Sequence, residues 1–308
     1  MTHDERSALE DFELRGRWWL PGNRRNCVPG TLKYVAGDVI TLSLEGLLRE
    51  RDVRFGTGVE NPEIILGETV DGKPCTVWKN ICTSETLRSS GAHTSDFHCN
   101  YLFIGEHFKS PDDMRLRSVQ VRFTDLEAWF GRQPFDDKCP PCTGEKTVFG
   151  TSRLRLPSVR CSVGPLGASI KFKYVYSFHA EFLTRRLRVT SYIRVTPKQR
   201  RHVVWFLSAV HELRILLTLL MNNKIFPTAL VGVTRKYRHP GTGKYVDRQV
   251  WIYGCQAYLR RAKQLGPWDI PLRLADMKRQ LPCVLDRWFK KRKRLRVVWD
   301  LFFTAFYN

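Results

Sequence analysis

The chain has 308 residues, 43% hydrophobic and 26% charged, with a formal net charge of +21; this is the composition of a globular protein with a sizeable core, not of a low-complexity or repeat chain. The charge is concentrated, since residues 195–308 hold 23 Lys and Arg against 6 Asp and Glu, net +17, and residues 1–194 carry only +4. A field of this sign draws polyanions by counterion release, nucleic acid first among them, although an anionic membrane or an acidic protein face satisfies the same charge.

The N-terminus, Met1 to Glu10, is charged and has no apolar stretch of a secretory signal, so the nine cysteines are expected to be reduced thiols in a cytoplasmic protein. Phe12 to Pro21 then reads as an aromatic-rich strand closed by proline, followed by strands at Val28–Leu32 and Val39–Leu44 with Gly37-Asp38 as the turn between them. Short strands follow at Ile64–Leu66, Thr76–Trp78, Asn100–Ile104 and Val119–Phe123, the last in clean period-two alternation. Thr124-Asp125-Leu126-Glu127 has the form of a capping box before a short helix that stops at Gly131. Arg132 to Gly150, rich in proline, reads as a linker or surface excursion, and strands resume at Arg153–Leu156, Ile170–Ser177 and Leu187–Val195.

Thr196-Pro197-Lys198-Gln199 reads as the start of a long helix, with threonine as N-cap and proline at the first helical position. Val203, Leu207, Val210, Leu213, Leu217 and Leu220 supply its apolar face. His211, Glu212 and Arg214 interrupt the run, so a packed helix is expected here and no membrane association. Beyond it, Ala229–Thr234 and Val250–Tyr253 are strand candidates, and Leu272–Gln280 and Pro282–Phe306 are expected to be helices. The fold class is therefore α+β: a β-rich body over 1–195, sandwich or barrel-like, followed by a mainly helical, basic part over 196–308 packed on it.

Four patterns compete as chemistry. Gly67 to Pro74 has the spacing of a phosphate-binding loop, but Pro74 stands where Ser or Thr should bind Mg²⁺ and a strand follows, so a hairpin turn at Asp71-Gly72 is the better account. Cys139-Pro140-Pro141-Cys142 could clip a metal only if Cys161, His98 or Cys99 came near, because no second such pair exists; no metal or cofactor is expected. Arg88 and His93 have the spacing of a ribonuclease Arg-x4-His motif, yet Ser89-Ser90-Gly91 between them are loop-formers, and His211 has no partner nucleophile, so no catalytic residue is assigned. The strongest signal is Arg287 to Arg296, where Lys290, Lys291, Arg292, Lys293, Arg294 and Arg296 can fan over a helix whose Trp288, Leu295 and Trp299 lie toward one side. Such a surface suits a phosphate backbone, and the same pattern suits a solvated face of a core helix.

Read together, Gly16-Arg17-Trp18-Trp19-Leu20-Pro21, Val28-Pro29-Gly30-Thr31-Leu32, Ile40 to Gly46, Ile65-Leu66-Gly67, Phe103 to Phe108 and Phe123 to Trp129 resemble the N-terminal domain of ApeA-type proteins, and Leu281 to Phe289 resembles its end. The likeness covers about residues 12–289 as one domain. It implies a bacterial, cytoplasmic sensor or regulatory module that is not itself an enzyme and that precedes a HEPN ribonuclease domain in anti-phage abortive infection. After Val195 no histidine has an arginine at the motif's spacing, so the expectation is that this effector domain is missing from the chain. The partners implied are RNA or a phage-derived trigger, the HEPN domain in cis, and a second copy in a homo-oligomer. A free-standing nucleic-acid-binding protein using the basic half is the alternative.

Overall fold

The structure, a computed structural model, describes residues 6–48, 61–87, 93–131, 158–180, 185–238, 240–255 and 264–307. Six strands come first: β1 (Phe12–Trp19), β2 (Val28–Tyr34), β3 (Ile40–Leu44), β4 (Ile64–Thr69), β5 (Pro74–Leu87) and β6 (His93–Ile104). They pair antiparallel in the order β3-β2-β1-β4-β5-β6, and β6 returns to β3, with Ile40 opposite Cys99 and Leu44 opposite Ser95. The pairing closes a six-stranded barrel and removes its edges. Alternation supplies the interior: Leu14 and Trp18, Leu32 and Tyr34, Ile40, Leu42 and Leu44, Ile65, Cys75 and Val77, Phe97 and Cys99 form one buried cluster. The phosphate-loop spacing is indeed a hairpin, with Gly72 at φ +74 and its N–H donating to the Thr69 carbonyl at 2.8 Å.

Two strands outgrow the barrel. On β5 the inward residues change parity between Val77 and Cys82, across Lys79 at φ +57, and on β6 between Cys99 and Leu102. The outward side of this end of the barrel, with Trp19, Ile64, Leu66, Trp78, Tyr101 and Phe103, faces a second core. The elements of that part are β7 (Arg115–Leu116), β8 (Ser118–Phe123), α1 (Leu126–Phe130), β9 (Ser158–Val163), β10 (Ala168–Ala180), β11 (Arg185–Pro197), β12 (Arg201–His202), α2 (Val203–Met221), β13 (Pro227–Arg238), β14 (Tyr245–Gly254), α3 (Leu274–Met277) and α4 (Leu281–Tyr307). The sheet runs on from β6 as β14-β13-β8-β11-β10-β9. Val119, Val121 and Phe123 on β8, Ile193 and Val195 on β11, and Ile170 and Phe172 on β10 bury against Val203, Phe206, Val210, Leu213 and Leu217 of α2, with Leu281 and Leu285 of α4 in the same core.

The barrel-like body is as expected, but the part over 196–308 is not mainly a helical addition to it, since it supplies two long strands of the same sheet. Its strands β13 and β14, expected as short strands at Ala229–Thr234 and Val250–Tyr253, run longer than that and sit between β6 and β8, in the middle of the sheet. The long helix also begins later than its capping pattern suggests. Thr196 and Pro197 pair with Ser169 and Ala168 at the end of β11, and the N-cap is His202, whose Nδ1 accepts the Val204 N–H at 3.3 Å. At α1 the expected capping box does not form: Thr124 Oγ1 accepts from the Phe226 N–H at 3.1 Å and Glu127 from the Ser191 N–H at 2.8 Å. The helix expected over Leu272–Gln280 shrinks to the four residues of α3. Among the described residues, α2 alone is long and apolar enough to cross a membrane, and in this fold it is a core helix.

Candidate ligand groove on the barrel

Because Leu14 and Trp18 point into the barrel, Arg15 and Arg17 must point out of it, two residues apart and so roughly 7 Å along β1. In register with them stand Thr31 and Pro29 on β2, and Arg17 is opposite Glu68 on β4. The Glu45 N–H, just past β3, donates to the Pro29 carbonyl at 2.9 Å, which sets Glu45 in the same row as Arg17 and Glu68. The 3-10 turn after β1 brings Arg24 over the Trp19 ring, 5.3 Å from its centroid, and onto Glu68 Oε2 at 2.7 Å. Trp19 is itself buried, edge-on to His107 at 5.4 Å, and His107 Nε2 lies 2.8 Å from the Gly67 carbonyl oxygen. His107 is part of the support behind Trp19, and the other side chains line an open groove of about 620 Å³.

The electrostatics of the groove are mixed by design of its rows. Arg24 is committed to Glu68, whereas among the described residues the side chains of Arg15, Arg17 and Glu45 make no ion pair or hydrogen bond, although all three are exposed. A guanidinium is a planar fork of donors suited to phosphate or carboxylate oxygens, and a free carboxylate accepts from hydroxyl or amine groups. Residues from three segments that carry the sequence likeness, Gly16, Arg17 and Trp19, Pro29 to Thr31, and Glu45, thus line this one groove. Of the groove residues, Arg15 and Arg24 were not singled out by the sequence reading; the outward phase of the period-two pattern of β1 is the signal that marks Arg15.

The residues singled out as basic are on α4. Lys290, Lys291 and Arg294 are exposed, Arg296 is exposed and lies 3.5 Å from Asp300, and Arg292 turns inward to pair with Glu212 of α2, only 1% exposed. The side chain of Lys293 lies outside the described ones. Cys139 and Cys142 fall outside the described residues, as does Arg88, while His93 begins β6. The other thiols suggested for a metal are not brought together: Cys99 lies in the barrel core, Cys161 in the second core, and His98 on the opposite face of β6 from Cys99. Among the described residues no three His, Cys, Asp or Glu side chains gather as a metal site. Burial pushes the Cys75 thiol up to about 12 and that of Cys161 to about 11, so both stay protonated and poorly nucleophilic. His211 is on the exposed side of α2, and it is held below the ordinary histidine range by loss of solvation beside its neighbours, then by Arg214 and Arg292, with Asp300 opposing.

A family model described as ApeA N-terminal domain 1 matches residues 13–288. No curated protein and no solved structure matches the chain.

Proposed function

Since the chain belongs to the ApeA N-terminal domain 1 family, and so is a module associated with anti-phage defence, we propose that it is the non-catalytic sensing part of a HEPN ribonuclease system, with the barrel groove as its ligand site. The observation that carries the reading is the division of surfaces. One face of the barrel gathers residues of three family-like segments around unpaired charged side chains, and beyond Arg292 α4 carries Val297, Val298 and Leu301 exposed at 71%, 57% and 67%. An exposed apolar stripe of this kind fits a partner surface better than solvent. In this reading the groove receives a phage-derived signal in the bacterial cytoplasm and α4 passes it to a HEPN domain that cuts RNA.

The test is RNA cleavage by the purified chain, alone and together with the HEPN domain of a full-length ApeA protein. The chain alone should leave RNA intact at every salt concentration, and Val297→Glu/Leu301→Glu should abolish its binding to the HEPN domain while leaving its circular dichroism unchanged. Robust cleavage by the chain alone, copurifying with it through successive columns and surviving heat only as long as the fold does, removes the non-catalytic reading.

A further inference from the structure

We infer that the barrel groove recognises a nucleotide, with Arg15 and Arg17 on its phosphate and Glu45 on its ribose hydroxyls or base amine. The inference deepens the sensor reading and rests on it for calling the ligand a signal, although binding itself is measured without any defence phenotype. Three features of the groove lead to this ligand class.

The first is volume. About 620 Å³ lies within the range of roughly 300–1,000 Å³ usual for small-ligand clefts, ample for one nucleotide. The second is the charge pattern. A ligand that is only anionic would meet Arg15 and Arg17 but also the unpaired carboxylate of Glu45 near them, and a ligand that is only cationic would face the two unpaired arginines. What satisfies both is a molecule with phosphate oxygens at one end and hydrogen-bond donors at the other. The third is spacing. Glu45 and Arg17 are separated by the single residue Pro29 across the sheet, two strand spacings or roughly 10 Å of backbone, so one elongated small molecule can meet a guanidinium with one end and the carboxylate with the other. Thr31, opposite Arg15, adds a hydroxyl to the phosphate side. Arg24 has a different role, because its pairing with Glu68 and its seat over Trp19 make it a wall of the groove.

A free nucleotide and the terminal nucleotide of an RNA present the same chemistry, and titration calorimetry of the purified chain with AMP, ATP, inorganic phosphate and a short single-stranded RNA separates them. AMP or ATP should bind, and Arg15→Gln/Arg17→Gln should weaken that binding by about tenfold or more, the cost of lost charged hydrogen bonds, with Arg15→Lys/Arg17→Lys in between. Glu45→Ala should weaken AMP binding while leaving inorganic phosphate bound as well as before or better. If RNA binds and AMP does not, with RNA binding still lost in Arg15→Gln/Arg17→Gln, the nucleotide belongs to an RNA end. The inference is overturned if the unaltered chain binds none of the probes, if Glu45→Ala affects AMP and phosphate alike, or if RNA binding disappears in Lys290→Glu/Lys291→Glu and persists in Arg15→Gln/Arg17→Gln. Should calorimetry fail while Arg15→Gln/Arg17→Gln in the complete defence protein still abolishes protection from phage, the ligand class is wrong and the sensor reading stands.

Discussion

Trp18 fills the barrel at 0% exposure, and it fits because its strand neighbour, Gly67, has no side chain: a Cβ there would lie 2.3 Å from the indole ring. Interiors are packed as densely as crystals, so the extra methyl must displace the ring or the strand. Gly67→Ala is therefore expected to cost about 1–3 kcal/mol, seen as a lower urea midpoint with an unchanged slope; an unchanged midpoint would mean that the ring has room to move. His211 gives a residue-scale prediction of a different kind. Although the side chain is exposed, its folded pKa is lowered by partial loss of solvation and by Arg214 and Arg292, against Asp300, so the unfolded chain takes the proton first as pH falls through the ordinary value of 6.5. More protons bound by the unfolded state means that stability declines on acidification through that region and is fully present above it. Replacing His211 with Gln should flatten this part of the stability profile; a slope unchanged by the substitution assigns it to other groups.

At the scale of elements, α2 and α4 show where charge and core meet. Glu212 sits on the buried side of α2 at 1% exposure and pairs with Arg292, which brings the basic helix onto the core helix. Arg292→Ala strands a carboxylate in that core and is expected to cost about 2–3 kcal/mol, at or below the low end of the range for a broken buried pair because the arginine is partly solvated; Glu212→Leu/Arg292→Met should recover most of it. Denaturant unfolding of the single and double variants checks both. The apolar period of α2 was legible in the sequence because Val203, Val210, Leu213 and Leu217 repeat at helical spacing, and so was the hairpin at Asp71-Gly72. Its start was not, because Thr196 and Pro197 carry capping chemistry yet are held in a strand by Ser169 and Ala168, a long-range pairing that local pattern does not record. Only the apolar end of β6 was legible, since its first half, His93-Thr94-Ser95-Asp96, is polar and is made a strand by β3 and β5 on either side. The groove was hidden for the same reason: Arg17, Glu45 and Glu68 become neighbours only through strand register.

For the whole molecule the question is whether the barrel and the helix-backed sheet are two folding units or one. Their cores are distinct clusters, with Leu42 central to the first and Leu213 to the second. The hydrogen-bonded sheet does not divide between them, because β5 and β6 run through both and β14 pairs directly with β6. Tyr253 of β14 belongs to the barrel cluster, and its hydroxyl donates to the Arg6 carbonyl at 3.2 Å, so the second unit supplies part of the first one's closure. Opening either core would strip partners from β6 and leave buried backbone groups unpaired, at a cost that local unfolding must carry. Leu42→Ala and Leu213→Ala, at 0% and 1% exposure, should each cost about 2–5 kcal/mol, and each should shift one common urea transition seen identically by tryptophan fluorescence and far-ultraviolet circular dichroism. A transition that splits in Leu42→Ala, with the helical signal lost later than the fluorescence change, would instead mean that the barrel melts alone. The groove lies wholly on the barrel and the exposed apolar stripe on α4, so the shared sheet is the physical route by which a ligand bound at one could bias the other. A single transition is what that coupling requires, and a split one would leave the groove and the α4 stripe energetically independent.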